Sequence, residues 1–184
     1  MAGLSCPWTE NQPLGGLMLK LKLTTTVVLL LLLSLPASVL ALKVGDPFPP
    51  LSGTTLDGKE FNFNDLKGEL ILLKIGTTWC PTCDQQSKEI EKLRGFMIEN
   101  KIKLVEIFIN ESKGTIRKFL GKHGHQAPDV VLTDRGKIGR ALNVYIIPRV
   151  ILIDKDFRVY RDADPLPSYL LKQELVNMLA GKRY

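Results

Sequence analysis

Two cysteines near the middle of the chain are the residues best suited to chemistry. Cys80 and Cys83 are separated by two residues and follow an apolar run over Leu70–Ile75. The residues after them, from Asp84 to Ile98, have helical spacing. Cysteines spaced this way on a first helical turn can form a disulfide with little backbone movement and can open it again. The partial positive charge of a helix N-terminus favours the Cys80 thiolate, the species that attacks in thiol–disulfide exchange.

Two other uses of the cysteine pair remain open from the residues alone. A structural disulfide between Cys80 and Cys83 would close a loop of only a few residues, which adds little stability. A tetrahedral metal site needs two more ligands, and the sequence has no second cysteine pair. His123 and His125 can supply copper or zinc ligands, although two solvated loop histidines are the simpler interpretation. We therefore expect no resident metal.

The N-terminal segment has the pattern of an export signal. Residues 23–41 carry no charge, Lys20 and Lys22 precede them, and small residues including Ala41 end the run. This pattern predicts a signal peptide cleaved near Ala41. An uncleaved anchor is the alternative, because the uncharged span approaches the roughly 20 residues that cross a bilayer. Either interpretation divides the chain into a leader over 1–41 and an exported domain over 42–184.

Charge and cysteine content narrow the remaining classes of function. The formal net charge is +6, but the basic residues are dispersed, with no block typical of nucleic-acid binding. Cys6 lies in the leader and would be lost with it. We expect a periplasmic protein or one on the outer face of the membrane, with no nucleic-acid partner. Contact with the membrane is expected only if the leader is uncleaved.

Strand and helix signals alternate along the exported domain. Asp57-Gly58 between extended segments predicts a β-hairpin over 51–63, and the unbroken apolar run predicts a strand covered on both faces. Further elements are predicted in this order: a helix over 81–98, a strand over 104–109, helices over 112–120 and 134–142, strands over 150–153 and 157–160, and a helix capped by Ser168. This alternation predicts an α/β fold, a three-layer sandwich around a mixed sheet.

Four segments resemble one protein family. Trp79-Cys80-Pro81-Thr82-Cys83, placed after a buried strand, resembles the active site of the thioredoxin superfamily. Segments 56–59 and 65–68 resemble the N-terminal hairpin extension of its TlpA/ResA-like branch, an extension also found in the related peroxiredoxins. Segment 143–148 resembles the part of the family fold that carries a cis-proline. The similarity covers residues 44–180 and implies a thioredoxin-like α/β/α sandwich with that hairpin extension.

The resemblance implies roles for the residues around the cysteines. Cys80 would be the exposed nucleophile and Cys83 the resolving thiol, so the redox-active disulfide Cys80–Cys83 would serve without another cofactor. Pro148 would lie cis against the pair, limit metal capture and offer backbone groups to a substrate chain. The residues expected to bind substrate or support the active site are Trp79, Pro81, Thr82, Ile147 and Pro148.

Lys74 departs from the family pattern and leaves open how Cys83 loses its proton. Many thioredoxins have a buried Asp at this position, and TlpA-like members often have Asn. A buried Lys74 ammonium would favour nearby thiolates or lose its own proton, whereas a side chain reaching solvent would do neither. Glu106 is a candidate for proton transfer, because cytochrome-maturation reductases of this branch use a glutamate near the pair. A solvent-facing Glu106 is the simpler interpretation.

Taken together, the pair and the resemblance predict an exported thiol–disulfide oxidoreductase, more a reductase than an oxidant. Its substrates would be protein disulfides, in cytochrome c maturation or envelope redox homeostasis. A membrane or exported thiol donor would recharge it, because no flavin or nicotinamide motif is visible. A peroxiredoxin-type thiol peroxidase is the second hypothesis: Thr77, three residues before Cys80, fits that family's Thr or Ser, and Arg149, after the proline, is a candidate for its Arg. Metal delivery, for example of copper, through Cys80 and Cys83 is the third.

Overall fold

A mixed sheet carries the cysteine pair and its surroundings. The computed structural model describes residues 42–123 and 127–182. Its strands are β1 (Ser52–Thr55), β2 (Glu60–Asn62), β3 (Leu70–Gly76), β4 (Ile102–Ile109), β5 (Val130–Asp134), β6 (Arg149–Ile153) and β7 (Val159–Ala163). They form one sheet in the order β2-β1-β5-β4-β3-β6-β7. Strands β3, β4 and β5 are parallel, and the other neighbours are antiparallel.

Helices cover both faces of this sheet. They are α1 (Pro81–Glu91), α2 (Arg94–Glu99), α3 (Lys113–His123), α4 (Lys137–Ala141) and α5 (Ser168–Leu179), with a 3-10 helix over Phe63–Leu66. One core joins the sheet to α1, α2 and α5, through residues such as Ile90, Met97 and Leu175. The other joins it to α4 and the 3-10 helix, through Ile138 and Phe63. The predicted three-layer α/β fold is therefore confirmed.

The central strand β3 contributes to both cores because its side chains alternate between the two faces. All seven of its residues are buried. Ile71, Leu73 and Ile75 belong to the core beneath α4, whereas Leu70 and Leu72 belong to the core beneath α1. By the same alternation Lys74 lies on the α1 face of the sheet, so its buried amine interacts with groups between β3 and α1.

The single helix predicted over 81–98 is wrong, because the structure has two helices there. The chain turns at Lys92 and Leu93, so α1 and α2 are separate. This turn directs the buried Arg94 guanidinium to Asp129, at 3.2 Å, and to the Ala127 carbonyl. The spacing of Ile90, Leu93 and Met97 in the sequence places them on one face of a helix, and all three are buried even though the helix is divided.

Strand β5 was not predicted, and it is the link between the N-terminal hairpin and the rest of the sheet. It pairs parallel with β4 and antiparallel with β1. Without β5 the hairpin would have no hydrogen-bonded neighbour in the sheet. We expected its last residue, Asp134, to cap α4; Asp134 does accept hydrogen bonds from the first-turn N–H groups of Ile138 and Gly139, but the N-cap itself is Gly136.

Two predicted helix boundaries differ from the structure. Ser112 accepts the Thr115 N–H as predicted, but α3 continues through His123 rather than ending at Leu120. Ser168 is not a cap: it is the first residue of α5, and its N–H donates to Glu89 of α1 at 2.7 Å.

The predicted leader, with its cleavage site or anchor and Cys6, lies outside the described residues, as does His125. Across 42–123 and 127–182, no helix combines the length and apolar character needed to cross a bilayer.

Candidate active site

Cys80 lies where the chain passes from the sheet into α1. Its extended backbone makes it the N-cap of the helix, and Pro81 occupies the first helical turn, a position that suits a residue without an N–H group. The Cys80 sulfur accepts the Cys83 N–H at 3.2 Å and lies 3.1 Å from the Thr82 hydroxyl. The thiol side chain thus takes the capping role that Ser or Asp usually fills.

These contacts favour the thiolate of Cys80. Burial alone would raise the pKa of Cys80, but hydrogen bonds from Cys83 and Thr82 outweigh burial and hold the pKa below its ordinary value. Cys80 is buried, with 6% of the residue exposed, so the prediction of an exposed nucleophile is wrong. Cys80 still lines a surface groove, and a stabilised thiolate with limited access is suited to attack on a disulfide presented at the opening of that groove.

Cys83 has the opposite character. It is 1% exposed, and burial raises its pKa to about 12, with a further contribution from its hydrogen bond to Cys80. A hydrogen bond from the Thr77 backbone and the charge of Lys74 lower the pKa again, but by less. Both thiols are free. The pair therefore consists of a nucleophile ready to ionise and a second thiol held protonated.

Gly76, at the end of β3, lets α1 approach the sheet closely. A β-carbon at residue 76 would lie 2.9 Å from the Cys83 sulfur and 3.3 Å from the Cys83 β-carbon. Real side chains essentially never approach so closely, so glycine is required here for steric reasons. The sequence analysis assigned no role to Gly76, and only the geometry of the helix above it reveals one.

A buried polar cluster lies beside Cys83 on the α1 face of the sheet. Lys74 is 3% exposed; its amine donates to the Ser87 hydroxyl and lies 3.4 Å from the Glu106 carboxylate. Ser87 is one helical turn after Cys83, and Lys74 pairs directly with Glu106 in the β3–β4 register. Glu106 is 5% exposed, so the solvent-facing Glu106 favoured by the sequence is wrong.

The predicted cis-proline is present: the Ile147–Pro148 peptide bond is cis. Pro148 immediately precedes β6, whose first residue, Arg149, pairs with Ile75 near the end of β3. The end of β3 and the start of β6 therefore lie at the same end of the sheet, so the cysteine segment and the proline segment are neighbours there. Exposed apolar side chains flank this end of the sheet, with Trp79 exposed to 73% and Ile146 to 74%.

Arg149 does not have the arrangement required by the peroxidase hypothesis. Its guanidinium donates to Asp162 from Nε at 2.8 Å and from a terminal nitrogen, and its other terminal nitrogen donates to the Leu142 carbonyl. All three nitrogens are thus engaged, two by Asp162 of β7 and one by the carbonyl at the end of α4. The Thr77 backbone N–H is directed to Cys83, but its hydroxyl is buried without a hydrogen-bond partner among the described residues. The arrangement of Arg149 alone therefore disfavours peroxide binding.

Two further residues position the site, and the sequence analysis missed both. Glu111, after β4, accepts the Thr78 N–H at 3.0 Å and the Thr78 hydroxyl at 2.6 Å, which anchors the loop that leads to Cys80. Gln86, buried on α1, exchanges two hydrogen bonds with the Leu166 backbone and so ties the helix to the segment before α5. Neither has a sequence signal, because both partners are distant in the chain.

Potential metal ligands do not form a further cluster in the part of the chain that the structure describes. No group of three His, Cys, Asp or Glu side chains close enough to share an ion occurs there. His123 ends α3, but its side chain is not among the described groups.

A dithiol at the start of a helix, with a cis-proline segment at the same end of a mixed sheet, defines the class of thioredoxin-like thiol–disulfide oxidoreductases. Comparison with protein families makes the assignment specific. The chain belongs to the Redoxin family, whose model matches residues 43–165, and within the thioredoxin superfamily it is of the TlpA/ResA-like type. It is an enzyme of the thiol–disulfide oxidoreductase class.

Individual relatives agree with this assignment. The chain is similar to thiol-disulfide oxidoreductase ResA of Bacillus anthracis, with 29% identity over 119 residues, 64% of this chain and 68% of the relative. Thiol:disulfide interchange protein DsbE of Yersinia pestis is 28% identical over 145 residues, covering 77% and 75%. A thiol:disulfide interchange protein of Chlorobium tepidum has a solved structure with a TM-score of 0.63 and 25% identity, over 76% of this chain and 99% of that one.

Proposed function

We propose that this protein is an exported reductase of protein disulfides, acting through Cys80 and Cys83. The observation that carries the proposal is the asymmetry of the pair. Cys80 has a lowered pKa and caps α1, whereas Cys83 is buried with a pKa of about 12. A reductase needs a thiolate that attacks first and a second thiol that stays protonated until the mixed disulfide has formed.

The reaction follows from this order of ionisation. The Cys80 thiolate attacks one sulfur of the substrate disulfide, so a bond forms between Cys80 and that sulfur, and the other substrate sulfur leaves as a thiolate. Cys83 then loses its proton and attacks Cys80, which releases the second substrate thiolate and leaves the Cys80–Cys83 disulfide. Two electrons pass from the dithiol to the substrate. A thiol donor outside the cytoplasm must supply two electrons to restore the dithiol.

Cys83 must lose its proton before it can attack Cys80, and its raised pKa opposes this step. The buried polar cluster beside Cys83 supports the loss of this proton. The Lys74 charge lowers the pKa of Cys83. Glu106 is linked to Ser87 through the Lys74 amine, and a cavity of about 20 Å³ lined by Ser87 and Glu106 is large enough for one water molecule. In this proposal Lys74 and Glu106 are both positioning residues: the Lys74 charge favours the Cys83 thiolate, and Glu106 holds the Lys74 amine in place.

Residues at this end of the sheet would hold the substrate during both steps. Trp79 presents an exposed apolar surface beside the nucleophile. The cis Ile147–Pro148 segment precedes β6 at the same end of the sheet, where its backbone groups would bind an extended polypeptide. Export is supported by the basic lead and uncharged run of the leader. These features favour protein substrates outside the cytoplasm, with apocytochrome c among the candidates.

Trapping tests the proposed reaction. The Cys83→Ser variant should accumulate mixed disulfides between Cys80 and its physiological partners, and these should be released by dithiothreitol. Cys80→Ser is the matched control and should trap nothing. Absence of adducts with Cys83→Ser, or equal adducts with Cys80→Ser, would contradict the proposed roles. Peroxide consumption by the reduced protein, without disulfide reduction, would favour the peroxidase alternative instead.

A further inference from the structure

A groove beside Cys80 has a chemical character that the proposed reaction does not explain. It lies between the start of α1 and the side of α3, with a volume of about 430 Å³. Cys80 and Trp79 line one wall, and Thr115, Lys118, Phe119 and Lys122 of α3 line the other. Because the nucleophile forms part of the wall, an occupant of this groove lies directly beside the mixed disulfide.

The α3 wall is strongly basic. Lys113–His123 contains four Lys or Arg residues and no Asp or Glu. Arg117 pairs with Asp57 at 3.3 Å and also donates to the Leu56 carbonyl, so its charge is partly compensated away from the groove. Lys118 and Lys122 are four residues apart and therefore lie on the same side of the helix. Within 42–123 and 127–182 neither forms an ion pair.

The acidic residues nearest this groove do not neutralise the two lysines. Asp84 lines the groove, but it pairs with Lys88 one turn later on α1, at 2.8 Å. Glu111 directs both carboxylate oxygens to Thr78. The N-terminus of α1 adds partial positive charge at the same place. The groove is thus a site of net positive charge that opens on a thiolate.

The groove also has an apolar part, which limits the kind of ligand that fits. Trp79 is 73% exposed, and the half-buried Phe119 lies in the opposite wall. Exposed apolar surface continues on the other side of the opening at Tyr145 and Ile146, 88% and 74% exposed. A small anionic thiol would leave most of this surface uncovered, whereas a polypeptide segment would cover it.

We propose that this groove selects disulfide substrates whose reactive cysteine is followed or preceded by acidic residues. A carboxylate of the substrate pairs with Lys118 and Lys122, and an apolar residue next to it contacts Trp79 and Phe119. The inference rests on the proposed function and adds a substrate class to it. The Cys80 thiolate repels an acidic segment. The positive charges of Lys118 and Lys122 outweigh this repulsion and attract the segment to the groove.

Single-turnover kinetics with three probe peptides test this inference. The peptides share one intramolecular disulfide and one apolar residue, and they carry Glu, Gln or Lys at the positions flanking the target cysteine. The reduced full-length protein should react about fivefold faster with the Glu peptide than with the Gln peptide at low salt, as expected for two exposed ion pairs. The advantage should shrink as the salt concentration rises.

A charge-matched pair of variants assigns the effect to the groove. Lys118→Gln with Lys122→Gln should bring the Glu-to-Gln rate ratio to about one. Lys155→Gln with Lys182→Gln removes the same charge from another pocket and should keep the ratio. Equal rates for the three peptides, or loss of the ratio in both variants, would overturn the inference while leaving the reductase function intact.

Two further outcomes separate this inference from its alternatives. If none of the peptides is reduced, the proposed function fails and the inference fails with it. If the rate of reduction of oxidised glutathione depends on Lys118 and Lys122 whereas the rates for the peptides do not, the occupant of the groove is a small anionic thiol. The proposed polypeptide occupant is then wrong.

Discussion

Gly76 and Cys83 are packed so closely that no side chain fits between them: a β-carbon at residue 76 would lie 2.9 Å from the Cys83 sulfur. Gly76 ends the central strand, and Cys83 lies on the first turn of α1. The depth of the resolving thiol is therefore set by the absence of a side chain beneath it. That depth in turn causes the burial that raises the pKa of Cys83 to about 12.

Gly76→Ala should separate the helix from the strand. We expect a loss of about 1–3 kcal/mol in the free energy of unfolding, as for other overpacked sites. Resolution of the mixed disulfide should slow, because the Cys83 sulfur is displaced from Cys80. Denaturant unfolding and stopped-flow resolution rates measure the two effects.

Gly95→Ala is the matched control for this substitution. Gly95 is exposed on α2, and a β-carbon there meets nothing within 4 Å. Alanine should stabilise α2 by up to about 1 kcal/mol through helix propensity. A Gly76→Ala protein as stable and as fast as Gly95→Ala would contradict the packing argument.

Thr82→Val should raise the pKa of Cys80, because it removes a hydroxyl that hydrogen-bonds the sulfur at 3.1 Å. The Cys80 pKa is lowered in the folded protein, so the thiolate forms as pH rises through a value below the ordinary one. Losing this bond should move the titration toward higher pH by about one unit. Alkylation at neutral pH should slow only about threefold, because a more basic thiolate is also more nucleophilic.

Ultraviolet absorbance of the thiolate against pH measures this titration. Thr54→Val, at an exposed position on β1, should leave the titration curve unchanged. An unshifted curve for Thr82→Val would show that the Thr82 hydroxyl does not contribute to the lowered Cys80 pKa.

Lys74→Met should destabilise the protein by about 3–5 kcal/mol, because it leaves the Glu106 carboxylate buried without its partner. It should also raise the pKa of Cys83 further, since the Lys74 charge lowers it. The rate of resolution should then reach its maximum at a higher pH than in the native protein. Unfolding curves and a pH–rate profile of the resolving step measure these effects.

Two variants separate the charge of Lys74 from its packing. Lys74→Met with Glu106→Leu should regain stability but keep the altered pH profile. Lys88→Met breaks the exposed pair with Asp84 and should cost no more than about 1 kcal/mol. Recovery of the native pH profile in the double variant would exclude a role for Lys74 in tuning Cys83.

Local sequence signals predicted much of this structure. The unbroken apolar run of β3 predicted a strand buried on both faces, and Asp57-Gly58 predicted the N-terminal hairpin. Both signals depend on residues adjacent in the chain. The cis bond before Pro148 was expected from the family resemblance and is present. These features are local or carried by a family motif, so a single sequence contains enough information to find them.

The features that sequence reasoning missed depend on distant parts of the chain. Strand β5 is short, and among its residues only Leu132 and Asp134 are buried. Its role as the link between the hairpin and the rest of the sheet comes from its pairing with β1 and β4. Glu106 was expected at the surface because a lone charge in a strand usually faces water. Its burial depends on Lys74, a partner 32 residues earlier in the sequence.

Gln86→Glu should make folding stability depend on pH. The Gln86 amide donates to the Leu166 carbonyl at 3.2 Å and accepts the Leu166 N–H at 2.8 Å. A carboxylate at this buried position would face the carbonyl oxygen without a donor, so its pKa should lie above the ordinary value of about 4.3. Below the ordinary value the new carboxyl group is protonated in both the folded and the unfolded state, and its O–H can replace the amide donor. As pH rises through the raised pKa, about 1–3 kcal/mol of stability should be lost.

Urea unfolding at acidic and at neutral pH measures this difference in stability. Gln86→Leu is the control: it lacks an ionisable group and should be destabilised equally at both pH values. An equal loss of stability at both pH values for Gln86→Glu would contradict the argument.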